Sequence, residues 1–334
     1  MQAMQDLNRL REWTGVVNNI ANGYKKSQIL FTALKAGIFD LLETERAGAG
    51  VAEALGWSER GVVMLLDGLV AMDLLEKRGD IYKNTPLATA TLAKDGCAYQ
   101  GDILSHNLGS WDDWAALEER VRTGTGVPSG ERRTGQALRN FILGMSNIAR
   151  LSAREVLQAV DLSGYRHMLD LAGGPATYPI AFMEACPGLR ATLFDRPEVV
   201  EIAREQVAAA GLEGRFGYIT GDCLADDIGS GYDLAFVSNL IHSFSDEENA
   251  SLVKKVYGAL EPGGVIIIKD FIVENDRSGP AFSLIFALHM LVHTRGGNTY
   301  SFNEVGNWTD SAGFGPGDAM ALTPQTRLWI ARKG

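Results

Sequence analysis

At 334 residues the chain is about twice the length of a typical domain of roughly 150 residues, so it holds two domains or one large one. Its 46% hydrophobic and 22% charged residues exclude a disordered, collagenous or coiled-coil protein. With 31 basic against 41 acidic side chains the net charge is −10, so a surface that binds nucleic acid by releasing counterions would have to be local.

The N-terminus, Met1 to Trp13, mixes Asp6, Arg9, Arg11 and Glu12 where a signal peptide needs an unbroken apolar region. No apolar run approaches the roughly 18 residues that span a bilayer. The expectation is a cytoplasmic chain with no membrane partner. Cys97, Cys186 and Cys223 are odd in number, far apart and without a Cys-x-x-Cys pair, which points to reduced thiols rather than a disulfide framework or a structural zinc.

From Lys25 to Leu75 apolar residues recur at helical spacing, through Ile29, Ala33, Ile38, Leu41, Val51, Leu55, Val62, Leu66 and Val70. Ser58 precedes a helix running to about Ala71, and Leu74 to Thr85 reads as a small hairpin around Arg78, Gly79 and Asp80. That succession predicts a winged helix. Its would-be recognition helix sets Glu59 and Asp67 against Arg60 and offers no basic stripe, so a dimerisation or packing module is expected, not DNA binding. This module is placed at residues 1–98. Residues 99–160 read as connecting helices that contribute to a substrate pocket, with a polar break at Thr123 to Thr134 marking the interdomain connection.

After Gly164 apolar strands alternate with amphipathic helices, the pattern of a parallel sheet wrapped by helices. The strands are predicted at His167 to Leu171, Ala191 to Phe194, Gly217 to Thr220, Leu234 to Val237 and Val265 to Lys269, with Ala319 to Leu322 and Leu328 to Ala331 closing the sheet as a hairpin. The first strand ends in Ala172-Gly173-Gly174-Pro175-Ala176, a turn that lets backbone amides approach a ligand at a helix N-terminus. A dinucleotide fingerprint would place Gly-x-Gly-x-x-Gly here. The alternate positions are Ala172, Gly174 and Ala176, and Pro175 removes a donor, so pyrophosphate is disfavoured. Asp195, about 20 residues on, is set to accept the two hydroxyls of a ribose. Asp222, after the third strand, is set to take an amino proton from adenine.

These segments, together with Phe194-Asp195-Arg196-Pro197-Glu198, Ser238-Asn239-Leu240-Ile241-His242, Glu261-Pro262-Gly263-Gly264 and Met290-Leu291-Val292-His293 before Gly296-Gly297, resemble the plant-type O-methyltransferase family, of caffeate and hydroxyindole type, and its bacterial branch. The resemblance covers nearly the whole chain. It implies a Rossmann-like class I α/β methyltransferase domain over 161–334, a mostly parallel seven-stranded sheet with helices on both faces, behind an N-terminal all-helical, winged-helix dimerisation domain. It also implies S-adenosylmethionine (SAM) as cofactor and a homodimer acting on a small-molecule acceptor. By that likeness Asp170, Gly173 and Gly174 line the methionine end, Asp195 the ribose, and Asp222 with Cys223 the adenine.

A sulfonium methyl is already electrophilic, so the enzyme has to hold the acceptor in line and make it nucleophilic. A phenol near pKa 10 calls for a base such as imidazole, near 6.5, and His242 past the fourth strand is that candidate. Many members follow this histidine with Asp, where Ser243 stands here, and plant members orient it with a glutamate, where Thr299 stands. Asp270, ending the fifth strand, is the remaining carboxylate expected to reach the imidazole. Ser238 replaces a lysine that plant members use near the cofactor. The acceptor pocket is expected to be walled by Phe141, Met145, Phe286, His289, Met290 and His293, with Trp111 and Trp114 undecided.

An alternative reading keeps the fold. His289 and His293 lie at i and i+4 on one helix face, a spacing that lets two imidazoles share a metal. A branch of this family that methylates carbon in 2-oxo acids holds iron at positions that look like His242 and His293. There a cation from Arg120, Arg122 or Arg295 would meet the substrate carboxylate. A SAM-sensing regulator and a non-methylating family member are further alternatives. The primary expectation is methyl transfer to the hydroxyl of a small aromatic metabolite with His242 as base and no metal.

Overall fold

The computed structural model describes residues 2–126 and 134–334, and the chain divides into two compact units between Leu108 and Gly109. The connection expected at Thr123 to Thr134 falls largely on residues 127–133, outside the described residues.

The first unit begins with α1 (Gln2–Ala21), which the periodicity from Lys25 onward does not announce. It continues through α2 (Gly23–Lys35), α3 (Ile38–Leu41), β1 (Arg46–Ala47), α4 (Gly48–Leu55), α5 (Glu59–Val70), β2 (Leu75–Arg78), β3 (Ile81–Asn84), α6 (Pro86–Leu92) and α7 (Gly101–Gly109). The hydroxyl of Ser58 caps α5 by accepting from Gly61 N–H, and Gly79 turns the β2–β3 hairpin at φ 65°. Strand order is β1-β3-β2, all antiparallel. Helices followed by this small wing give the winged-helix succession. The apolar stripe of α5, Val62, Leu66 and Leu69, is buried against Phe39, Val51 and Tyr82. Asp67, on the same helix, accepts from Lys77 Nζ at 2.5 Å and from the Tyr82 hydroxyl at 2.8 Å, tying helix to wing.

In the second unit α8 (Trp111–Ala115), α9 (Leu117–Thr123) and α10 (Gly135–Ala159) precede an alternation of strands and helices. These are β4 (His167–Leu171), α11 (Thr177–Ala185), β5 (Arg190–Asp195), α12 (Pro197–Ala209), β6 (Phe216–Thr220), β7 (Tyr232–Ser238), α13 (Asp246–Ala259), β8 (Leu260–Asp270), α14 (Ala281–His293), α15 (Phe302–Ala312), β9 (Asp318–Ala321) and β10 (Arg327–Arg332). The sheet has seven strands in the order β6-β5-β4-β7-β8-β10-β9. β4 to β8 are parallel, and β10 runs antiparallel to both β8 and β9.

Successive residues of a strand face opposite sides of the sheet. Accordingly Leu234, Phe236, Val265 and Ile267 join the core under α10, α11 and α12, with Ala153, Phe182 and Ala203. Ala235, Val237, Ile266 and Ile268 join the other core with Val253 of α13 and Val305 and Trp308 of α15. Burial on both faces explains the near-continuous apolar runs of these strands. The chain runs outward from β4 through β5 to β6, then returns to place β7 on the other side of β4. Open α/β sheets bind ligands beyond the strand carboxyl ends at such a reversal. Among the described residues no helix is long and apolar enough to cross a membrane.

Candidate active site

At the end of β4 the chain turns through Ala172 (φ 53°), Gly174 (φ 60°) and Ala176 (φ 61°) before α11 begins. Two alanines held in the left-handed region are strained. Gly173 is required for a different reason. A Cβ there would lie 1.7 Å from Oδ2 of Asp170, so the carboxylate of β4 sits against the glycine backbone. Asp170 is fully buried, and neither of its oxygens has a hydrogen-bond partner among the described residues. Burial, followed by the charge of Asp195, pushes its pKa up to about 8.

Asp195 closes β5 and holds the same turn. Its Oδ2 accepts from Gly174 N–H at 2.9 Å and its Oδ1 from Arg196 N–H at 2.7 Å. Burial raises its pKa, and the Arg196 and Gly174 amides oppose that rise. The buried carboxylate of Asp170 and the half-buried one of Asp195 together form an anionic cradle. It suits a ligand that carries positive charge and brings its own N–H and O–H groups, as a sulfonium amino acid joined to a ribose does.

The third strand end carries Asp222 and Cys223. Asp222 is exposed, and its Oδ1 accepts from Leu224 N–H at 2.9 Å. Cys223 is buried, and burial, then Asp222, pushes its thiol up to about 11, so it acts as a neutral wall rather than a nucleophile. Lys255 of α13 fastens this loop from below. Its ammonium donates to the carbonyl oxygens of Cys223, Leu224 and Asp226 at 2.9, 2.8 and 2.9 Å.

Past β7 the chain makes the one-turn 3-10 helix Ile241–Ser243, which presents His242. Its Nδ1 lies 2.7 Å from Oδ1 of Asp270 at the end of β8. Asp270 is 2% exposed. Burial works to raise its pKa, but His242, the Phe271 amide and Lys269 outweigh it and hold the carboxyl below its ordinary range. An ionised carboxylate only accepts, so Nδ1 carries the proton and Nε2 the lone pair. Phe271 stacks on the imidazole and Phe286 meets it edge-on, with centroids at 5.9 and 5.0 Å. Thr299, at the position matched to the plant glutamate, is buried, and its hydroxyl has no partner among the described residues.

Phe286, His289, Met290 and His293 lie on α14. The ring of Phe286 stacks on His289 with centroids 5.3 Å apart, and the His293 ring meets that of His289 at a tilt, with centroids 4.3 Å apart. Trp114 of α8 donates its indole N–H to His289 Nδ1 at 3.2 Å, and Asp113 lies 3.5 Å from His293 Nδ1. Met290 is buried. On α10, Phe141 packs against the cluster of Leu138, Ile142, Val199 and Ile202. Met145, also on α10, precedes Ser146, whose hydroxyl lies 3.0 Å from that of Thr177 at the start of α11. Arg122 pairs with Glu119, while the buried Nε of Arg120 has no partner among the described residues.

The metal alternative does not fit this arrangement. Phe286 stands against both His242 and His289, and Nδ1 of His289 accepts from the Trp114 indole, which leaves the proton on its Nε2 and no lone pair for a metal. Among the described residues no group of three or more His, Cys, Asp or Glu side chains is placed to hold a metal ion. The i, i+4 spacing brings the two imidazoles together as a tilted pair, one against Trp114 and the other against Asp113.

Comparison with known proteins agrees with this geometry. Residues 120–315 match the O-methyltransferase domain, and residues 18–94 match the O-methyltransferase dimerisation domain. The chain belongs to the O-methyltransferase family. A 3-hydroxy-5-methyl-1-naphthoate 3-O-methyltransferase of Streptomyces sahachiroi is 32% identical to it, over 89% of this chain and 88% of the relative. The acetylserotonin O-methyltransferase of Macaca mulatta is 32% identical over 84% of this chain and 87% of its own. Among solved structures, human N-acetylserotonin methyltransferase in complex with SAM superposes with a TM-score of 0.88 at 30% identity, covering 96% of this methyltransferase and 97% of the other chain.

Sequence reasoning passed over two lysines of this methyltransferase, Lys255 and Lys269. Lys255 lies on a helix with no sequence mark beyond its charge. Lys269 ends the strand expected at Val265 to Lys269, and it is 1% exposed. The run Lys269-Asp270, two charges directly after four apolar residues of a buried strand, was the available signal.

Proposed function

We propose that this methyltransferase transfers the methyl group of SAM to the hydroxyl of a small aromatic acceptor, with His242 as general base and Asp270 as the group that orients it. The relatives named for acetylserotonin and for a hydroxynaphthoate support an aromatic acceptor that bears a hydroxyl. The observation that carries the reading is the His242 Nδ1 to Asp270 Oδ1 contact at 2.7 Å, at the carboxyl end of the sheet beside the acidic cradle.

Asp170, Gly173 and Gly174 hold the methionine end of the cofactor, Asp195 its ribose, and Asp222 with Cys223 its adenine. When bound, SAM supplies a methyl on a positively charged sulfur, which needs no further activation. The protein's work is on the acceptor. The side chains of Phe286, His289 and Met290 on α14, with Phe141 and Met145 on α10 and His293 at the helix end, grip a flat substrate and exclude water. Nε2 of His242 takes the hydroxyl proton as the oxygen attacks, and the resulting imidazolium is held by Asp270 through Nδ1–H. Because the carboxyl of Asp270 stays ionised, the charge that forms on the ring is met without rearrangement.

Residues 1–98 act as the dimerisation domain of a homodimer, residues 99–160 as connecting helices at the acceptor pocket, and residues 161–334 as the SAM-binding domain. The protein works in the cytoplasm and does not bind nucleic acid. Incubation of the purified protein with SAM and a panel of hydroxylated bicyclic aromatics, followed by mass spectrometry, tests the reaction type. The expected product is a methyl ether. Methylation at carbon, or none across the panel, contradicts it.

A further inference from the structure

Two consecutive residues at the end of β8 hold two points of the loop that leaves β7. Asp270 holds His242, as described. Lys269 grips Asn239 twice: its carbonyl oxygen accepts from the Asn239 backbone N–H at 2.8 Å, and its ammonium donates to Asn239 Oδ1 at 2.9 Å. The register permits this double contact. Ser238 pairs with Lys269 in the parallel ladder of β7 and β8, so Asn239 is the first residue beyond it. There the backbone switches to φ 52°, a left-handed turn that costs energy for any residue with a side chain.

The turn redirects the chain into Ile241–Ser243 and so brings His242 back to the strand beside Lys269. A buried ammonium is expensive to desolvate and is retained where its geometry is satisfied. This one is 1% exposed. It stands 5.7 Å from the ring centroid of Tyr178 in the first turn of α11, and the Asn239 amide is the acceptor it meets.

We infer that Lys269 is a positioning residue for methyl transfer: by clasping Asn239 through both its carbonyl and its ammonium, it fixes the left-handed turn that delivers His242 to Asp270. The inference rests on the proposed role of His242 as base. It assigns Lys269 no contact with acceptor or cofactor. Removal of the clasp should therefore misplace the imidazole and leave cofactor affinity intact.

The test compares Lys269→Met, Asn239→Gly and the double variant for kcat at saturating substrates, for affinity toward S-adenosylhomocysteine by calorimetry, and for the His242 tautomer by 15N NMR. Each single variant is expected to lose about 10- to 100-fold in kcat, as a displaced catalytic group does. S-adenosylhomocysteine affinity should stay within about twofold, and the Nδ1–H tautomer should give way to a mixture. The double variant should be no worse than the worse single, since both remove one interaction. Wild-type kcat, multiplicative losses, or a fall in affinity with kcat preserved would overturn the inference. If Lys269→Met does not fold, Asn239→Gly, which leaves the lysine in place and suits the positive φ, carries the same comparison. A harmless His242→Ala would instead defeat the base assignment, whereas a damaging His242→Ala beside a harmless Lys269→Met defeats only the role of Lys269.

Discussion

Gly173 lies directly against the carboxylate of Asp170: a Cβ on Gly173 would approach Asp170 Oδ2 to 1.7 Å. The buried acid can occupy its position only because the following turn has no side chain there. Gly173→Ala should therefore displace either the carboxylate or the turn. Overpacking of this kind costs about 1–3 kcal/mol of stability, and the cradle loses its shape. If the same cost falls on binding, calorimetry with S-adenosylhomocysteine is expected to show affinity weakened by about 5- to 150-fold, given the 1.4 kcal/mol that each tenfold represents. Binding as tight as wild type would mean that the turn does not touch the cofactor.

Asp170 also predicts a pH dependence. Its pKa is raised to about 8 by burial and by Asp195, whereas in the unfolded chain it is about 3.9. Between those values the folded cofactor-free protein holds a proton that the unfolded chain does not, so stability falls as pH rises from about 4 to about 8. A cationic cofactor favours the ionised carboxylate. Binding near neutrality should therefore release a proton, and affinity should climb with pH to about 8 and then level. Titrations in buffers of different ionisation enthalpy measure that proton directly. Asp170→Asn should abolish both the release and the slope.

Lys255 offers a separate test of the third strand end. Its three N–H groups are spent on three carbonyls of the loop that bears Asp222 and Cys223, and a hydrogen bond from a charged group contributes about 1.5–3 kcal/mol. Lys255→Met should loosen that loop, raising KM for SAM roughly tenfold while kcat at saturating SAM and KM for the acceptor stay unchanged. Equal losses in kcat would show that the loop reaches the reacting atoms.

The parallel sheet was legible because its strands are buried on both faces, so that Leu234 to Val237 and Val265 to Ile268 read as apolar runs. Asp195 stands out as the first charge after such a run, and Asp270 as the carboxylate that follows Lys269 at the end of another. α1 has a helical stripe, Leu7, Leu10, Trp13 and Ile20, that the reading from Lys25 onward leaves out, and among the described residues no core covers it. The pairing of His289 and His293 was read correctly as a shared face, but spacing along a helix says nothing of what the facing helix brings. Trp114 and Asp113 come from 175 and 180 residues away in sequence. Lys269 was missed because a lysine at a strand end is ordinarily solvated, and only the left-handed turn at Asn239, invisible in sequence, brings an acceptor to it.

The central claim is that His242, oriented by Asp270, takes the acceptor's proton. Its most direct test is kcat for His242→Ala on an acceptor that the wild-type enzyme methylates, with cofactor affinity measured on the same preparation. The account predicts a loss of about 10²- to 10⁴-fold in kcat, the usual contribution of a positioned base, with S-adenosylhomocysteine bound as tightly as by wild type. Full methyl transfer by His242→Ala would contradict it and leave orientation alone to activate the acceptor.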